Sequence, residues 1–207
     1  MYFIGENGSY IAKGAKLIAT NTLKKEQVQA VIQLVESHPE LNMILCGVKS
    51  AYCLNEFKHL EPVVRTYYCN YHFVESYDDI DDEIMKIAIY DPNHQIIRYA
   101  DDIACGLDKG VKATTSGNEW IDIQNEDINK GVAIKLLQRE LDIKPEECMA
   151  FGDQMNDYEM LQVCNYGVAM KNACQELKAS ADNICESVEN DGVYYEMERL
   201  GLFECLD

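Results

Sequence analysis

The sequence predicts an α/β fold, in which a parallel sheet carries helices on its faces, together with an α+β segment. From residue 125 onward, short apolar strands alternate with helical segments, which is typical of a parallel sheet. Before that point several strand candidates follow one another closely, which is typical of an α+β domain. The 207 residues are enough for one large core or two small ones.

The chain opens with a predicted hairpin and a predicted helix. Residues 2–4 and 9–11 flank Asn7-Gly8, and Asn-Gly is the strongest short hairpin signal. Apolar residues then recur at helical spacing over residues 23–35, with Thr22 as the candidate N-cap. We expect this helix to begin a new module.

The middle of the chain predicts a sheet. Six segments have the composition of strands, namely residues 43–46, 63–68, 84–90, 96–99, 111–115 and 120–123. The acidic run over residues 78–83 is expected to be a solvated loop or a helix start and not a metal site. The four histidines, His38, His59, His72 and His94, lie between residues 22 and 124 and are expected to be surface or packing residues, although one could touch the leaving group of a reaction.

The last part of the chain predicts a helix over residues 130–141 and strands at 148–151, 166–170 and 183–185, with helices between the strands. Ligands of such folds bind at the carboxyl ends of the strands. We therefore expect the chemistry of this protein to lie just after Phe151 and Met170.

Two carboxylates follow the first of these strands, Asp153 and Asp157. Gly152 gives the turn room to bring the backbone close to a ligand. Carboxylates are hard oxygen ligands, and magnesium commonly takes one or two of them together with phosphate oxygens and water. The alternative is that Asp153 only caps the helix that begins near Asp157.

Lys130 stands at the start of a predicted helix, where a cation opposes the helix dipole. A phosphate oxygen bound at that end would offset the cost, although a solvated surface lysine is the alternative. Asn172 follows the next strand and is a candidate for the same edge of the sheet, with a plain N-cap as the alternative.

The composition restricts the partners. A net charge of -18 opposes binding to nucleic acid or anionic membranes, whereas a small phosphorylated metabolite remains compatible with it. No apolar run approaches the roughly 20 residues of a membrane span, and we see no secretory signal, so a cytoplasmic protein is expected. Nine cysteines without metal-site spacing are expected to be reduced thiols.

Several motifs in register resemble the C-terminal half of a Cof-type hydrolase of the haloacid dehalogenase (HAD) superfamily. The matching residues are 129–131, 150–161, 167–173, Lys178, 181–182 and 189–193. The resemblance implies a Rossmann-like three-layer core with a parallel sheet, an inserted cap, and Mg2+-dependent hydrolysis of small phosphate monoesters such as sugar phosphates through an aspartyl-phosphate. It also implies that residues 1–21 and 125–207 form the core and residues 22–124 the α+β cap.

The same resemblance implies roles for five residues. Asp153 would bind Mg2+, and Asp157 would support the metal directly or through water. Lys130 would neutralise the phosphate and hold the charge of the nucleophile. Asn156 and Asn172 would bind the phosphate.

The nucleophile of the family is not found in the sequence. It is an aspartate in an Asp-x-Asp-Gly-Thr-like motif after the first strand, and the one Asp-x-Asp here, at residues 79–81, lacks an apolar strand before it. A nucleophilic carboxylate opens the reaction path, so we expect a core that is incomplete at its N-terminus and a chain that is inactive by itself.

Two other functions stay open. One is a noncatalytic remnant that binds a phosphometabolite or a protein partner, with a homodimer forming through an exposed sheet edge. The other is a receiver-type signalling domain, which ranks last because it predicts an isolated acceptor aspartate on a mid-chain strand and no inserted cap.

Overall fold

The computed structural model describes residues 1–202, and the chain divides into two compact units. The first unit is Met1–Ile128 and the second begins at Asn129. Sheets of three and six strands lie in the first unit, and a sheet of three strands lies in the second.

The predicted hairpin is confirmed. Strands β1 (Tyr2–Gly5) and β2 (Tyr10–Lys13) pair antiparallel, with Ile4 opposite Ile11. The connecting turn places Asn7 at a φ of 53°, in the left-handed region that asparagine tolerates better than most residues. A third strand that the sequence did not predict, β3 (Lys16–Thr20), pairs with β2.

Helix α1 (Lys25–Glu36) confirms the predicted helix, but its N-cap is Lys24 and not Thr22. The Gln27 side-chain oxygen accepts a hydrogen bond from the backbone N–H of Lys24 at 2.9 Å, so a capping box closes two residues later than expected. The helix buries Val31 and Val35 in the main core of the first unit.

Six strands form the larger sheet in the order β6-β5-β4-β7-β9-β8. They are β4 (Asn42–Gly47), β5 (Ala51–Leu54), β6 (Tyr71–Val74), β7 (Ile84–Tyr90), β8 (Val111–Ser116) and β9 (Trp120–Asn125). All neighbours pair antiparallel except β5 and β6, which are parallel. Four of the six predicted strands are thereby confirmed, and β5 and β6 were missed.

Two predicted strands are wrong, because both segments lie in helices. Residues 63–68 belong mainly to α2 (Glu61–Tyr67), where Pro62 stands in the first turn and presets a helical φ. Residues 97–99 form the start of α3 (Ile97–Gly106), and Ile96 is its N-cap. Ile96 and Ile103, seven residues apart, are both fully buried. A short apolar run does not distinguish a strand from a buried helical face.

The second unit alternates helix and strand as predicted. Its elements are α4 (Lys130–Leu141), β10 (Met149–Gly152), α5 (Tyr158–Val163), β11 (Tyr166–Met170), α6 (Gln175–Ser180), β12 (Asn183–Cys185) and α7 (Gly192–Arg199). The strands pair parallel in the order β10-β11-β12. Leu161 and Leu177 from the helices pack against Ala169 of the sheet, so helices cover the sheet and the predicted α/β architecture is confirmed.

Both outer strands of this small sheet are unpaired on one side in the part of the chain that the structure describes. There β10 and β12 each pair with β11 only. Such an edge can accept a further strand, and a homodimer formed through it stays a prediction. Among the same residues, 1–202, no helix is both long and apolar enough to cross a membrane.

Candidate functional site

The candidate site lies at the carboxyl ends of β10 and β11, where the sequence placed the chemistry. Asp153 follows the last residue of β10, and Asn172 comes two residues after the end of β11. Because the two strands are parallel neighbours, their ends meet at one edge of the sheet. The Asn172 side-chain amide donates a hydrogen bond to Asp153 Oδ2 at 3.2 Å.

Asp157 organises the loop that follows β10. Its Oδ1 lies 2.5 Å from Lys130 Nζ, and its Oδ2 accepts hydrogen bonds from the backbone N–H groups of Asp153 at 3.0 Å and Gln154 at 3.1 Å. Only 7% of its side chain is exposed. Both oxygens are therefore bonded inside the second unit, and a buried carboxylate satisfied in this way is stable.

Asp157, and not Asp153, holds the start of the helical segment, which corrects the capping alternative. The 3-10 turn Met155–Asp157 leads into α5, and the Asp157 carboxylate reaches back to the N–H of Gln154, three residues earlier. A carboxylate three residues after the N-cap is the pattern of a capping box. The sequence itself carries that spacing, with Asp157 three residues after Gln154.

Lys130 is compensated inside the chain. It is the first residue of α4, after the N-cap Asn129, whose side-chain oxygen accepts from the N–H of Val132 at 2.9 Å. The charge that offsets its unfavourable helix position is the Asp157 carboxylate. Because 28% of the Lys130 side chain is exposed and its ammonium group has three N–H donors, the group can donate to a phosphate oxygen while it remains paired with Asp157.

Two glycines make this pairing sterically feasible. A Cβ on Gly152 would lie 2.4 Å from Asp157 Cβ, so the Asp157 side chain occupies the space beside Gly152. The sequence-based expectation that a ligand uses this space is corrected. A Cβ on Gly131 would lie 2.6 Å from the carbonyl oxygen of Glu159. The absence of a side chain at Gly131 lets α4 approach α5 closely, beside the contact between Lys130 and Asp157.

Asn156 lies in the 3-10 turn between Asp153 and Asp157 and is partly buried. The structure thus gathers Lys130, Asp153, Asn156, Asp157 and Asn172 in the second unit. The one Asp-x-Asp sequence, at residues 79–81, lies instead in the first unit, at a 3-10 turn (Tyr77–Asp79) and the residues after it.

A magnesium ion fits Asp153 better than Asp157. The Asp153 carboxylate is partly exposed, whereas both oxygens of Asp157 are already bonded. Within residues 1–202 no group of three or more histidine, cysteine, aspartate or glutamate residues could hold a metal. The residues therefore fit an ion that takes one carboxylate here and most other ligands from water and phosphate, as magnesium commonly does. A direct metal bond from Asp157 stays a prediction.

Comparison with known proteins identifies the family. A family model described as haloacid dehalogenase-like hydrolase matches residues 1–197. This chain belongs to the haloacid dehalogenase-like hydrolases. The resemblance read from the motifs of the second unit, that of a Cof-type HAD hydrolase, is thereby confirmed.

Individual relatives extend this result. The chain is 27% identical over 192 residues to the 5-amino-6-(5-phospho-D-ribitylamino)uracil phosphatase YbjI of Escherichia coli, covering 92% of this chain and 71% of the relative. It is 35% identical over 94 residues to the HMP-PP phosphatase of Serratia proteamaculans, covering 45% of this chain and 34% of that protein. Among solved structures, the HAD subclass IIB sugar phosphatase BT4131 superposes with a TM-score of 0.83 at 20% identity, over 98% of this chain and 76% of that one. The HAD-like α/β fold of this chain is therefore established, and its relatives include phosphatases.

Proposed function

We propose that this chain supplies the metal- and phosphate-binding part of a Mg2+-dependent phosphatase that acts on small phosphate monoesters such as sugar phosphates through an aspartyl-phosphate. The observation that supports it is the arrangement of Asp153 and the Lys130–Asp157 ion pair at the carboxyl end of β10. The proposal includes the division into a core of residues 1–21 and 125–207 and a cap of residues 22–124.

Each site residue has a task in this proposal. Asp153 holds Mg2+, and Asn172 orients its carboxylate through the hydrogen bond to Oδ2. When bound, Mg2+ neutralises charge on the phosphate oxygens. Lys130 supplies a second positive charge, and Asn156 and Asn172 donate hydrogen bonds to the phosphate. Asp157 keeps Lys130 and the amide groups of residues 153 and 154 in place.

The attacking aspartate is proposed to come from outside residues 1–207. The family nucleophile occupies an Asp-x-Asp-Gly-Thr-like motif, and the 207 residues do not contain that sequence. Without a nucleophile no aspartyl-phosphate can form. The 207-residue chain is therefore expected to bind Mg2+ and phosphate and not to turn over.

The test measures binding and turnover separately on the purified 207-residue chain. Isothermal titration calorimetry with Mg2+, in the presence of inorganic phosphate, should show binding that Asp153→Asn weakens at least about tenfold, because loss of even an outer partner of a metal ligand commonly weakens metal binding by about 10- to 100-fold. Asp142→Asn is the matched control, because Asp142 is an exposed residue of the same unit in a left-handed conformation that asparagine also adopts. The control should bind as the unchanged chain does.

Turnover is followed with an aryl phosphate. No hydrolysis above background is expected. Hydrolysis that requires Mg2+ and disappears in Asp153→Asn would show that a nucleophile lies within these residues. Equal Mg2+ binding by the unchanged chain and Asp153→Asn would instead refute the metal assignment. A further variant carries an added upstream strand with the Asp-x-Asp-Gly-Thr-like motif. If that variant binds phosphate or a protein but still does not hydrolyse the aryl phosphate, the noncatalytic function is favoured.

A further inference from the structure

Two cysteines of the second unit lie side by side at the amino ends of β10 and β11, and the carboxylates of the candidate site lie at the opposite ends of these strands. Cys148 immediately precedes β10, and Cys164 is the C-cap of α5, two residues before β11. Met149 pairs with Tyr166 in the parallel register, so the chain enters both strands at the same level. The Gln138 side-chain amide spans the two segments, donating to Cys148 Sγ at 3.4 Å and to the carbonyl oxygen of Val163 at 3.0 Å.

The two thiols differ in their access to solvent. Cys164 is 7% exposed and belongs to a core cluster of the second unit, while Cys148 is partly exposed and packs against that cluster. Burial raises the pKa of the Cys164 thiol to about 11, and the charge of Cys148 and a side-chain hydrogen bond with it act in the same direction. Cys148 packs against the core cluster that contains Cys164, and the Gln138 amide contacts both segments, so the two cysteines are neighbours. Solvent thus reaches one thiol of an adjacent pair.

We propose that Cys148 and Cys164 are an oxidation site that forms an intramolecular disulfide when the protein meets a peroxide. The Cys148 thiolate attacks one peroxide oxygen, so that an S–O bond forms, the O–O bond breaks and water leaves after protonation. The Cys164 sulfur then attacks the sulfenic sulfur of Cys148; the S–S bond forms, the S–O bond breaks, and the proton of Cys164 leaves with the hydroxide as a second water. Two thiols are oxidised, and one hydrogen peroxide is reduced to two waters.

The disulfide would close a loop that contains three of the five candidate site residues, Asp153, Asn156 and Asp157. Residues 148–164 include Gly152, Asp153 and Asp157, which lie at the carboxyl end of β10, whereas the sulfur atoms lie at its amino end. The bond would therefore fasten β10 to α5 without touching the carboxylates. A cross-link that closes a loop of this length restricts the unfolded chain and stabilises the folded one.

Tryptic mass mapping tests the proposal directly. Residues 140–171 form one tryptic peptide, since Lys144 is followed by proline, and Cys148 and Cys164 are its two cysteines. After treatment of the folded 207-residue chain with hydrogen peroxide and blocking of free thiols, this peptide should appear unalkylated and lighter by two hydrogen atoms. Reduction with a phosphine should restore two alkylatable thiols.

Variants provide the control and the contrary outcome. Cys148→Ser and Cys164→Ser should each abolish the mass loss, and Cys174→Ser, at an exposed cysteine of the same unit, should leave it unchanged. Circular dichroism spectra matching the unchanged chain show that the variants fold. The proposal is overturned if peroxide leaves both thiols of the peptide alkylatable, converts Cys148 to a sulfinic acid, or joins either cysteine to a different one.

Discussion

At the scale of single residues, Asp157 combines three contacts that belong to different parts of the second unit. Its carboxylate joins the first residue of α4 to two backbone amides of the loop after β10. An aspartate that is 5% exposed and bonded through both oxygens contributes to stability as well as to the site. Asp153, four residues earlier, has the same side chain but is partly exposed and makes a weaker contact with Asn172.

The pair of aspartates therefore supports a matched prediction. Asp157→Asn should reduce the free energy of unfolding by about 2–3 kcal/mol, because it leaves the Lys130 ammonium without its partner and replaces an acceptor oxygen by an amide. Asp153→Asn should change it by less than about 0.5 kcal/mol, as is usual for exposed positions. Urea unfolding followed by far-ultraviolet circular dichroism measures both. Equal losses in the two variants would contradict the role given to Asp157.

At the scale of elements, a buried carboxylate attaches α7 to the sheet of the second unit. Glu196 Oε1 accepts hydrogen bonds from Tyr166 at 2.9 Å and Asn183 at 2.6 Å, and Arg199 contacts both oxygens. Tyr166 and Asn183 are the first residues of β11 and β12, so one side chain joins the helix to two strands. The Arg199 guanidinium, together with the hydrogen bonds from Tyr166 and Asn183, lowers the pKa of Glu196 from 4.5 to about 2.

This shift predicts a pH dependence. The pKa of Glu196 is lower in the folded than in the unfolded chain. Its contribution to the free energy of unfolding is therefore complete above about pH 4.5 and is lost as the pH falls towards 2. Glu196→Gln should lower the free energy of unfolding by about 1–3 kcal/mol at neutral pH. This difference between the variant and the unchanged chain should become smaller in the acid range. Urea unfolding at several pH values measures it.

Glu198 offers the control for this experiment, because it is an exposed glutamate of the same helix. Glu198→Gln should change the free energy of unfolding little at any pH. A difference between the Glu196 variant and the unchanged chain that stays constant from neutral to acid pH would refute the assignment of the titration to Glu196.

At the scale of the whole molecule, the excess of acidic side chains predicts a salt effect. The chain has 36 aspartates and glutamates against 18 lysines and arginines. Repulsion among like charges opposes the compact state, and salt screens it over a Debye length of about 10 Å at 0.1 M. The thermal unfolding midpoint should therefore rise as sodium chloride increases from low concentration to about 0.2 M.

Choline chloride serves as the control, since it screens charge without a metal ion. The midpoint measured by circular dichroism should rise equally with both salts at equal ionic strength. A midpoint that falls with added salt would show that attractive ion pairs, such as Lys86 with Glu6 and Asp122, outweigh the net repulsion.

The sequence predicted the second unit better than the first, and the residues show why. Around Phe151 and Met170, apolar strands, glycine turns and helical spacing all indicate the same elements, so local preference and tertiary structure agree. In the first unit, residues 63–68 have the β-branched composition of a strand, yet Pro62 and the burial of Val64 against the sheet make them helical. Local composition alone does not settle such short apolar segments.

The sequence by itself determined the α/β character, the parallel strands of the second unit, the family resemblance and the five candidate site residues, because these depend on local spacing and on motifs. Only the tertiary structure decided how those residues are paired. Asp157 binds Lys130 and the loop amides, and Gly152 makes room for Asp157. Cys148 packs against the cluster that contains Cys164. These arrangements depend on contacts between residues that are distant in the chain or on backbone geometry. The spacing of residues in a sequence predicts which of them lie at the same end of neighbouring strands, whereas packing determines which of their atoms are in contact.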